Sequence, residues 1–332
     1  MKRVILSFDY ELFFGDKCGT VESCLIVPTQ KILDALSSVR GRAVFFVDYL
    51  MLKRMREEND ETKKMAFAIE EQLRQIVKAG SRIELHLHPH WVDAKYKGNG
   101  GWDFSDHSHY CLDSLSEDVV TQIFVEGVKC LNEIAMQVDP TYRVSAFRAG
   151  GWAIFPFDKL KDWFRSSGIT IDSSVCKGMK LACVNYLMDF THSPDEPVYS
   201  FEHDVLRAET GGTFSEVQIS SFQFNPFTYV LDRVYRRLNK AFYRRHNVGS
   251  YMKVGKKPFV PLPILKRMWI RSLFSIDGTS PWTFLFHLVW SRCPLAVIMG
   301  HPKDFNDLVI RNILFLGKRV RLEVFQDLVK ES

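Results

Sequence analysis

The chain has 332 residues, of which 46% are hydrophobic and 25% charged, the composition of a globular protein with one large domain or two ordinary ones. No apolar run reaches the roughly 18 residues that a membrane-spanning helix needs, and Asp9 interrupts the N-terminal apolar run too early for the core of a signal peptide. The seven cysteines are scattered and odd in number, which excludes a simple disulfide framework and favours a reducing cytoplasm.

Strand-like apolar runs alternate along the chain with stretches of helical periodicity. The runs cover residues 4–8, 43–47, 82–85, 143–147, 168–171 and 294–299. The helical stretches cover residues 29–39, 62–79, 116–136 and 157–167. Strands that alternate with helices predict a parallel α/β sheet, and polar clusters at the C-terminal strand ends favour a barrel-like closure. We treat residues 1–332 as a single domain.

A basic segment departs from this alternation before the last strand, in an insertion at about residues 225–285. Residues 233–276 contain twelve Lys or Arg and no Asp or Glu, so the rest of the chain has a formal charge of −7. Basic side chains mixed with aromatic ones suit an anionic membrane surface or a pyrophosphate-linked substrate. A solvated basic face explains the segment equally well. No recognition motif for nucleic acid accompanies the charge, so we expect no nucleic-acid partner.

The first polar strand end contains two carboxylates, Asp9 and Glu11. Residues two apart on a strand point to the same face, so both can enter one site. Two close carboxylates repel each other unless a cation stabilises one of them. Glu11 could therefore coordinate a metal while Asp9 stays free as a base. Taken alone, the pair is equally typical of a strand end whose acids face solvent.

The third strand-like run ends in three of the ten histidines, all within five residues. Imidazole is the commonest metal ligand in proteins, so this density predicts a metal site, although a polar loop with incidental histidines remains the alternative. His86 and His90 are four residues apart with Pro89 between them, a spacing that lets both rings meet one ion. His88 is the weaker ligand candidate and is expected to face substrate. Two histidines and one carboxylate leave open positions on a divalent ion, as a catalytic site requires.

Later strand ends add an arginine, an aspartate and a histidine. Arg148 could pair with Asp9 and keep it ionised, because a nearby guanidinium lowers the pKa of a carboxylate. Asp172 could orient the imidazole of His301, which could act as a general acid near neutral pH. Each of these residues alone is more often a salt bridge or a cap. Their joint occurrence at successive strand ends favours a common site.

Taken in chain order, these segments resemble the motifs of the polysaccharide deacetylase superfamily, the NodB-homology domain of carbohydrate esterase family 4. The family's Thr-Phe-Asp-Asp motif is similar to residues 7–11, its His-Ser/Thr-x-x-His motif to residues 86–90, and its Arg-x-Pro-x motif to residues 147–152. Its aspartate strand end resembles residues 172–174, and its apolar run ending in histidine resembles residues 297–301. Tyr10 stands where the family has a metal-binding aspartate, and the motif around Arg148 lacks its proline.

The resemblance implies a distorted (β/α) barrel of about seven parallel strands and a divalent cofactor, with zinc as the first candidate. The roles carried over residue by residue are Asp9 as base, His86 and His90 as metal ligands, Arg148 as partner of the base, His301 as acid and Asp172 as partner of the acid. Glu11 would substitute for the missing aspartate as the third metal ligand. Substrate would be contacted by His88, Trp91, Gly151 and Trp152, where the tryptophans stack on a sugar ring and a backbone amide near Gly151 stabilises an oxyanion.

The resemblance also implies hydrolysis of an N-acetyl group from a glycan. We expect a cytoplasmic, metal-dependent de-N-acetylase that acts on a surface-glycan precursor of the O-antigen or capsule type. The acceptor would be linked to a lipid or a nucleotide, and the protein would contact the anionic inner membrane peripherally. Two alternatives stay open: a non-catalytic relative that binds glycan or metal, and a hydrolase of a non-sugar amide.

Overall fold

The computed structural model describes residues 3–106, 108–182, 187–252, 266, 268–290 and 294–329. Residues 253–265 and 267, which belong to the predicted basic insertion, lie outside the described residues. Within the described ranges, no helix combines the length and the apolar character needed to cross a bilayer.

Fifteen strands are described, most of them short. They are β1 (Arg3–Tyr10), β2 (Val44–Asp48), β3 (Arg82–Leu87), β4 (Lys95–Gly98), β5 (Gly101–Asp103), β6 (Ala146–Ala149), β7 (Ile171–Asp172), β8 (Lys180–Ala182), β9 (Leu187–Asp189), β10 (Val198–Phe201), β11 (Phe214–Val217), β12 (Ser221–Gln223), β13 (Arg271–Leu273), β14 (Leu295–Gly300) and β15 (Arg321–Glu323).

The α-helices follow the strands much as the periodicity predicts. They are α1 (Val27–Ser38), α2 (Tyr49–Glu58), α3 (Asp60–Lys78), α4 (Glu117–Met136), α5 (Lys161–Ser167), α6 (Pro226–Leu238), α7 (Pro281–Trp290), α8 (Asp307–Gly317) and α9 (Phe325–Val329). Helix α3 begins where the Asn59 side chain accepts hydrogen bonds from the amides of Glu61 and Thr62, a capping box that satisfies otherwise unpaired donors. The chain leaves this helix through Gly80, whose φ of 77° suits glycine.

The main sheet has the order β10-β11-β7-β6-β3-β2-β1-β14, and β15 pairs with the first residues of β1. Among the described pairings of this sheet, all are parallel except that of β10 with β11. The sheet curls into a half-barrel, which confirms the predicted α/β class and the distorted (β/α) barrel. Eight parallel strands stand where about seven were expected, because the short β15 adds to the β1 edge.

A short segment joins the two sides of the curled sheet. The Ser220 amide donates to the Val297 carbonyl at 3.0 Å, and the Ile219 amide donates to the Val175 carbonyl at 2.9 Å. Val297 lies in β14, whereas Val175 follows β7 on the far side of the sheet. These bonds join the two sides of the half-barrel through single residues instead of a full strand.

Strand alternation puts every second side chain inside the barrel. Ile5 of β1, Val44 and Phe46 of β2, and Ala146 of β6 belong to one buried apolar cluster with Val297. Further along the same strands, the same face carries polar residues, so an apolar plug lies beneath a polar mouth. The polar mouth forms at the C-terminal strand ends, where barrel enzymes build their sites.

Candidate active site and metal centre

A cavity of about 340 Å³ opens at this mouth and brings most of the predicted site residues together. It is lined by Asp9, Glu11, Phe14, His86, His88, His90, Tyr110, Ala149, Gly151, Trp152, Tyr251, Met252, His301 and Lys303. Asp9 and Glu11 are each only 4% exposed and lie in the same cavity, as their spacing on one strand predicts. The intervening Tyr10 points to the opposite face, where its hydroxyl donates to Gln72 Oε1 of α3 at 2.8 Å. Tyr10 therefore cannot replace an aspartate ligand, and Glu11 is the acid available.

Glu11, His86 and His88 form the group best placed to hold a metal ion. Their ligand-type atoms all lie within 4.8 Å of one another. Glu11 Oε2 is 3.2 Å from His86 Nε2 and 2.6 Å from His88 Nε2. All three side chains are buried.

The position expected for His90 is therefore occupied by His88. His88 has extended backbone angles, with φ −113° and ψ 99°, so strand alternation continues past the end of β3 and places its ring on the same face as that of His86. The chain then enters a 3₁₀ turn, Pro89–Trp91, which directs His90 onto the ring of Phe14 with centroids 4.2 Å apart. His90 lines the same cavity but lies outside the three-residue ligand group.

The donor set fits a divalent ion. The Nδ1 of His86 donates to the Arg148 carbonyl at 2.7 Å. This bond orients the imidazole so that Nε2 points toward Glu11. Backbone carbonyls commonly fix metal-binding histidines in this way. Burial alone would lower the pKa of His86, but the hydrogen bond to Glu11 and the charge of Asp9 raise it to about 9. A metal ion that binds here would displace a proton from this ring.

A lysine that the sequence analysis does not include also contacts Glu11. Lys303 Nζ donates to Glu11 Oε1 at 2.7 Å and to the Leu12 carbonyl at 3.1 Å, and the lysine is 2% exposed. Burial alone would raise the pKa of Glu11, but the charges of Lys303 and His88 hold it well below its usual range. One oxygen of Glu11 thus faces an ammonium group while the other faces the two imidazoles.

Asp9 is held by Arg148, the contact that the sequence analysis expects. Arg148 Nη1 donates to Asp9 Oδ1 at 2.5 Å, Nη2 donates to Ser7 Oγ at 2.9 Å, and Nε donates to the Ser173 carbonyl at 2.8 Å. Burial alone would raise the pKa of Asp9, yet the charges of Arg148 and His86 bring it below its ordinary value. A fully buried guanidinium with every arm bonded is a rigid support, so Asp9 stays ionised and fixed in position.

His301 faces both carboxylates across the cavity. Its Nε2 is 3.6 Å from Asp9 Oδ2 and 3.7 Å from Glu11 Oε1. Its Nδ1 is 3.5 Å from Asp304 Oδ2, so Asp304, and not the expected Asp172, is the carboxylate behind this ring. Burial lowers the pKa of His301, and the charge of Asp9 opposes this only in part. The imidazole is therefore mainly neutral at pH 7 and able to accept a proton.

Asp172 instead belongs to a buried carboxyl pair inside the barrel. The Ser174 hydroxyl donates to Asp172 Oδ1 at 2.8 Å and fixes the carboxylate beside β7 instead of next to His301. Asp172 accepts from the Ser174 amide at 3.0 Å and faces Glu216, its register partner on β11. Burial, and then the charge of Asp172, raise the pKa of Glu216 well above its ordinary value, and burial also raises the pKa of Asp172. Burial thus favours the protonated form of Glu216 beneath the site.

The residues expected to contact substrate divide into two groups. Trp91 is 1% exposed and packs edge-on against Trp102 and Phe104, with centroids 5.1 and 4.8 Å away, so it belongs to the core and cannot stack on a sugar. Gly151 and Trp152 line the cavity, and both have left-handed backbone angles, with φ values of 59° and 60°. This conformation is costly for tryptophan and is typical of a functional turn.

Another acidic side chain near the site comes from β2. Asp48 is fully buried, its Oδ1 accepts from the His88 amide at 3.3 Å, and its Oδ2 has no hydrogen-bond partner among the described residues. Burial raises the pKa of Asp48 to about 6, while the charge of His88 opposes the rise. The sequence did contain a signal, because Asp48 continues the inward alternation of Val44 and Phe46. Lys303 and Asp304 likewise lie within three residues after His301.

Comparisons with known proteins give likenesses of structure only. No family model and no curated protein sequence matches the chain. A protein from Mycobacterium smegmatis assigned as a polysaccharide deacetylase aligns over 99% of this chain and 89% of its own, with 14% identity and a TM-score of 0.48. The Bc1960 peptidoglycan N-acetylglucosamine deacetylase aligns over 98% and 86%, with 12% identity and a TM-score of 0.41. A 4-alpha-glucanotransferase from Thermococcus litoralis aligns over 100% of this chain and 38% of its own, with 10% identity and a TM-score of 0.48.

The first two of these proteins are named as deacetylases, like the family that the sequence motifs resemble. The third is named for a different reaction. Their scores are too low to support a reaction. An activity must therefore be inferred from the side chains of the cavity.

Proposed function

We propose that this protein is a metal-dependent hydrolase that removes an N-acetyl group from an amino sugar of a surface-glycan precursor. The observation that carries the proposal is the meeting, in one cavity, of the Glu11-His86-His88 group with Asp9 and His301. The volume of about 340 Å³ lies within the range of roughly 300–1,000 Å³ typical of small-ligand sites. A mixture of ionisable groups with perturbed pKa values in such a cavity favours catalysis over a structural role.

Glu11, His86 and His88 would hold the divalent ion, and we propose zinc because two imidazoles and one carboxylate are donors that it accepts in catalytic sites. When bound, such an ion supplies charge that polarises a carbonyl and lowers the pKa of water. The chain's own contribution is to fix the donors through the Arg148 carbonyl and to exclude bulk solvent with Phe14.

The geometry supports a proton route through two side chains. Arg148 holds Asp9 Oδ1, so Oδ2 is the oxygen that accepts a proton from the attacking water. His301 Nε2, 3.6 Å from the same Oδ2, receives this proton and then donates it to the nitrogen of the departing sugar. The water oxygen bonds to the acetyl carbon and the C–N bond breaks, so that acetate and a free amino sugar leave.

The carrier of the sugar is proposed to be a lipid or a nucleotide, joined through an anionic group. The support is the excess of Lys and Arg without any Asp or Glu in residues 233–252, the segment that ends at Tyr251 and Met252 in the cavity wall. Trp152, half-buried on the opposite wall, would pack on the sugar ring.

A non-catalytic function is the second candidate, and Lys303 favours it. Its ammonium already compensates the charge of Glu11 at 2.7 Å without any ion. A protein that binds glycan in this cavity, with no bound metal and no hydrolysis, would need only such an internal ion pair.

The test is acetate release from N-acetylated sugar precursors by the purified protein, in parallel with metal analysis. The proposal expects release that stops in chelator, returns with zinc, and is lost in Asp9→Asn while the exposed α5 variant Asp162→Asn retains it. Full activity without metal contradicts the proposed mechanism. Absence of both bound ion and release on every acetamide favours the non-catalytic function, and release from non-sugar amides alone would move the activity to another substrate class.

A further inference from the structure

Helix α6 presents an apolar stripe to solvent instead of to the core. Its exposed apolar side chains are Phe227 (63%), Val230 (49%), Leu231 (43%), Val234 (50%) and Leu238 (78%). Their spacing of three, four, seven and eleven residues places them on one face of the helix. A surface helix of a globular protein normally buries this face.

The face that α6 turns toward the protein is polar. Thr228, Asp232 and Tyr235 are its buried residues, with exposures of 2%, 2% and 8%. The Asp232 carboxylate accepts from Arg236 Nε at 2.6 Å, so its charge is compensated internally. The amphipathicity of α6 is thus inverted, and the apolar stripe is available to something outside the chain as described.

Two tryptophans extend the stripe beyond the helix. Trp269 is 56% exposed and precedes Ile270, whose carbonyl accepts from the Phe224 amide just before α6 at 3.0 Å. Trp282 is 57% exposed on α7, the helix that packs beside α6 through the rings of Phe227 and Phe286, 6.3 Å apart. Tryptophan is the side chain most typical of a membrane–water interface.

The charges around the stripe have one sign. Residues 225–252 contain six Lys or Arg and a single acid, the buried Asp232. Arg233 and Arg237 are exposed and flank the stripe, and Lys240 follows the end of the helix. Cations around an apolar face attract anionic headgroups, and each adds about 1 kcal/mol near such a surface.

We propose that α6, together with Trp269 and Trp282, docks on an anionic bilayer with the helix axis parallel to the membrane plane. The helix has 13 residues, a length that lies flat at an interface and is too short to cross a bilayer. The uniformly positive charge distinguishes between the two candidate partners of this surface, a second copy of the chain and anionic lipid. A second copy of this chain would bring the same cations face to face, whereas anionic lipid complements them.

Docking would also bring toward the bilayer the segment that leads from α6 to the cavity wall. The chain runs from the end of α6 at Leu238 to Tyr251 and Met252 in the cavity wall through a short segment, and the Ser250 carbonyl there accepts from the Gly15 amide at 2.9 Å. A sugar carried on a lipid phosphate would meet the cavity from this side. This step rests on the proposed function, while the docking itself does not.

The test is co-sedimentation of the full chain with phosphatidylcholine vesicles that contain or lack phosphatidylglycerol. The wild-type protein should bind the anionic vesicles at least about tenfold more strongly than the neutral ones and should be released by salt. The double variant Leu231→Glu/Val234→Glu should lose at least about tenfold in binding. The matched control is Val125→Glu on α4, where the replaced side chain is equally exposed at 45%, and it should bind as the wild type.

A second measurement uses the wild-type protein and conservative variants. Tryptophan emission should shift to shorter wavelength on addition of anionic vesicles, and Trp269→Phe/Trp282→Phe should lose most of that shift. The proposal is overturned if the wild type stays in the supernatant, if it binds neutral vesicles equally well, or if the α6 double variant still sediments. A stable dimer that the double variant dissociates, without vesicle binding by the wild type, would assign the stripe to a second copy instead.

Discussion

Replacing Lys303 by methionine tests whether Glu11 is the oxygen ligand of a metal site. The Lys303 and Glu11 side chains are 2% and 5% exposed, and Lys303 Nζ lies 2.7 Å from Glu11 Oε1. Methionine keeps a long apolar side chain against Phe13 and Phe14, whose ring centroids lie 5.2 and 5.0 Å from Nζ, and removes only the charge and its hydrogen bonds.

The expected cost follows from these contacts. Removing one partner of a buried ion pair destabilises a protein by about 3–5 kcal/mol, because the other charge stays buried. His86 and His88 also contact Glu11, so we expect the low end, about 3 kcal/mol. Zinc would stabilise both proteins by mass action, but it would bind the variant more tightly, because it replaces the lost charge on Glu11 and meets no ammonium there. The loss should therefore appear in chelator and largely disappear in zinc.

Urea unfolding of the wild type and the variant in chelator and in zinc measures this difference. The control is Lys53→Met, which removes a surface ion pair with Glu126 at 2.6 Å, where the side chains are 29% and 35% exposed. That control should lose less than about 1 kcal/mol in either buffer. An equal loss for Lys303→Met in chelator and in zinc would refute the assignment of Glu11 as a ligand.

Three further substitutions test the proposed base, the buried carboxyl pair inside the barrel and the packing around the candidate ligand His88. Asp9→Asn should reduce acetate release by about 10²–10⁴-fold with zinc binding retained in calorimetry, and release above a tenth of the wild-type rate would exclude Asp9 as base. Glu216 keeps its proton in the folded protein because its pKa is raised, so wild-type stability should fall as the pH rises from the ordinary glutamate range through that raised pKa. Glu216→Gln should show a shallower fall in urea unfolding across pH, because the buried Asp172 still contributes, and a fall of equal slope would contradict a protonated Glu216. Gly150→Ala would place a Cβ against the Leu87 carbonyl oxygen and 2.7 Å from His88 Nδ1. It should cost about 1–3 kcal/mol in unfolding and weaken zinc binding in a titration, whereas unchanged zinc affinity would contradict the placement of His88.

Most of the fold could be predicted from the sequence because the strands follow a regular alternating pattern. Strands β2 and β14 are buried along their whole length. Helices must cover both faces of such strands, which favours a parallel sheet. The same alternation predicted that Asp9 and Glu11 share a face. It also contained Asp48, two residues beyond Phe46, although the sequence analysis did not use it.

The remaining features of the site depend on geometry beyond single strands. Which of His88 and His90 meets Glu11 depends on where extended backbone gives way to the 3₁₀ turn, and histidine identity alone does not encode that point. The partner of His301 comes from its own strand end, since Asp304 lies three residues further along the chain, whereas Asp172 faces Glu216 inside the barrel. Lys303 is hard to anticipate because a buried lysine is rare and becomes reasonable only when its carboxylate partner is known.

The side-chain amide of Gln72 affects which mutations are expected to inactivate this protein. It accepts from the Tyr10 hydroxyl at 2.8 Å and donates to the Ile26 carbonyl at 2.7 Å, so one side chain of α3 fastens the strand segment that bears both acids. Gln72 is 2% exposed and takes no part in lining the cavity. A screen of random variants for lost activity should nevertheless recover position 72 together with the acids themselves, and a map of inactivating mutations would place it wrongly among residues that touch substrate.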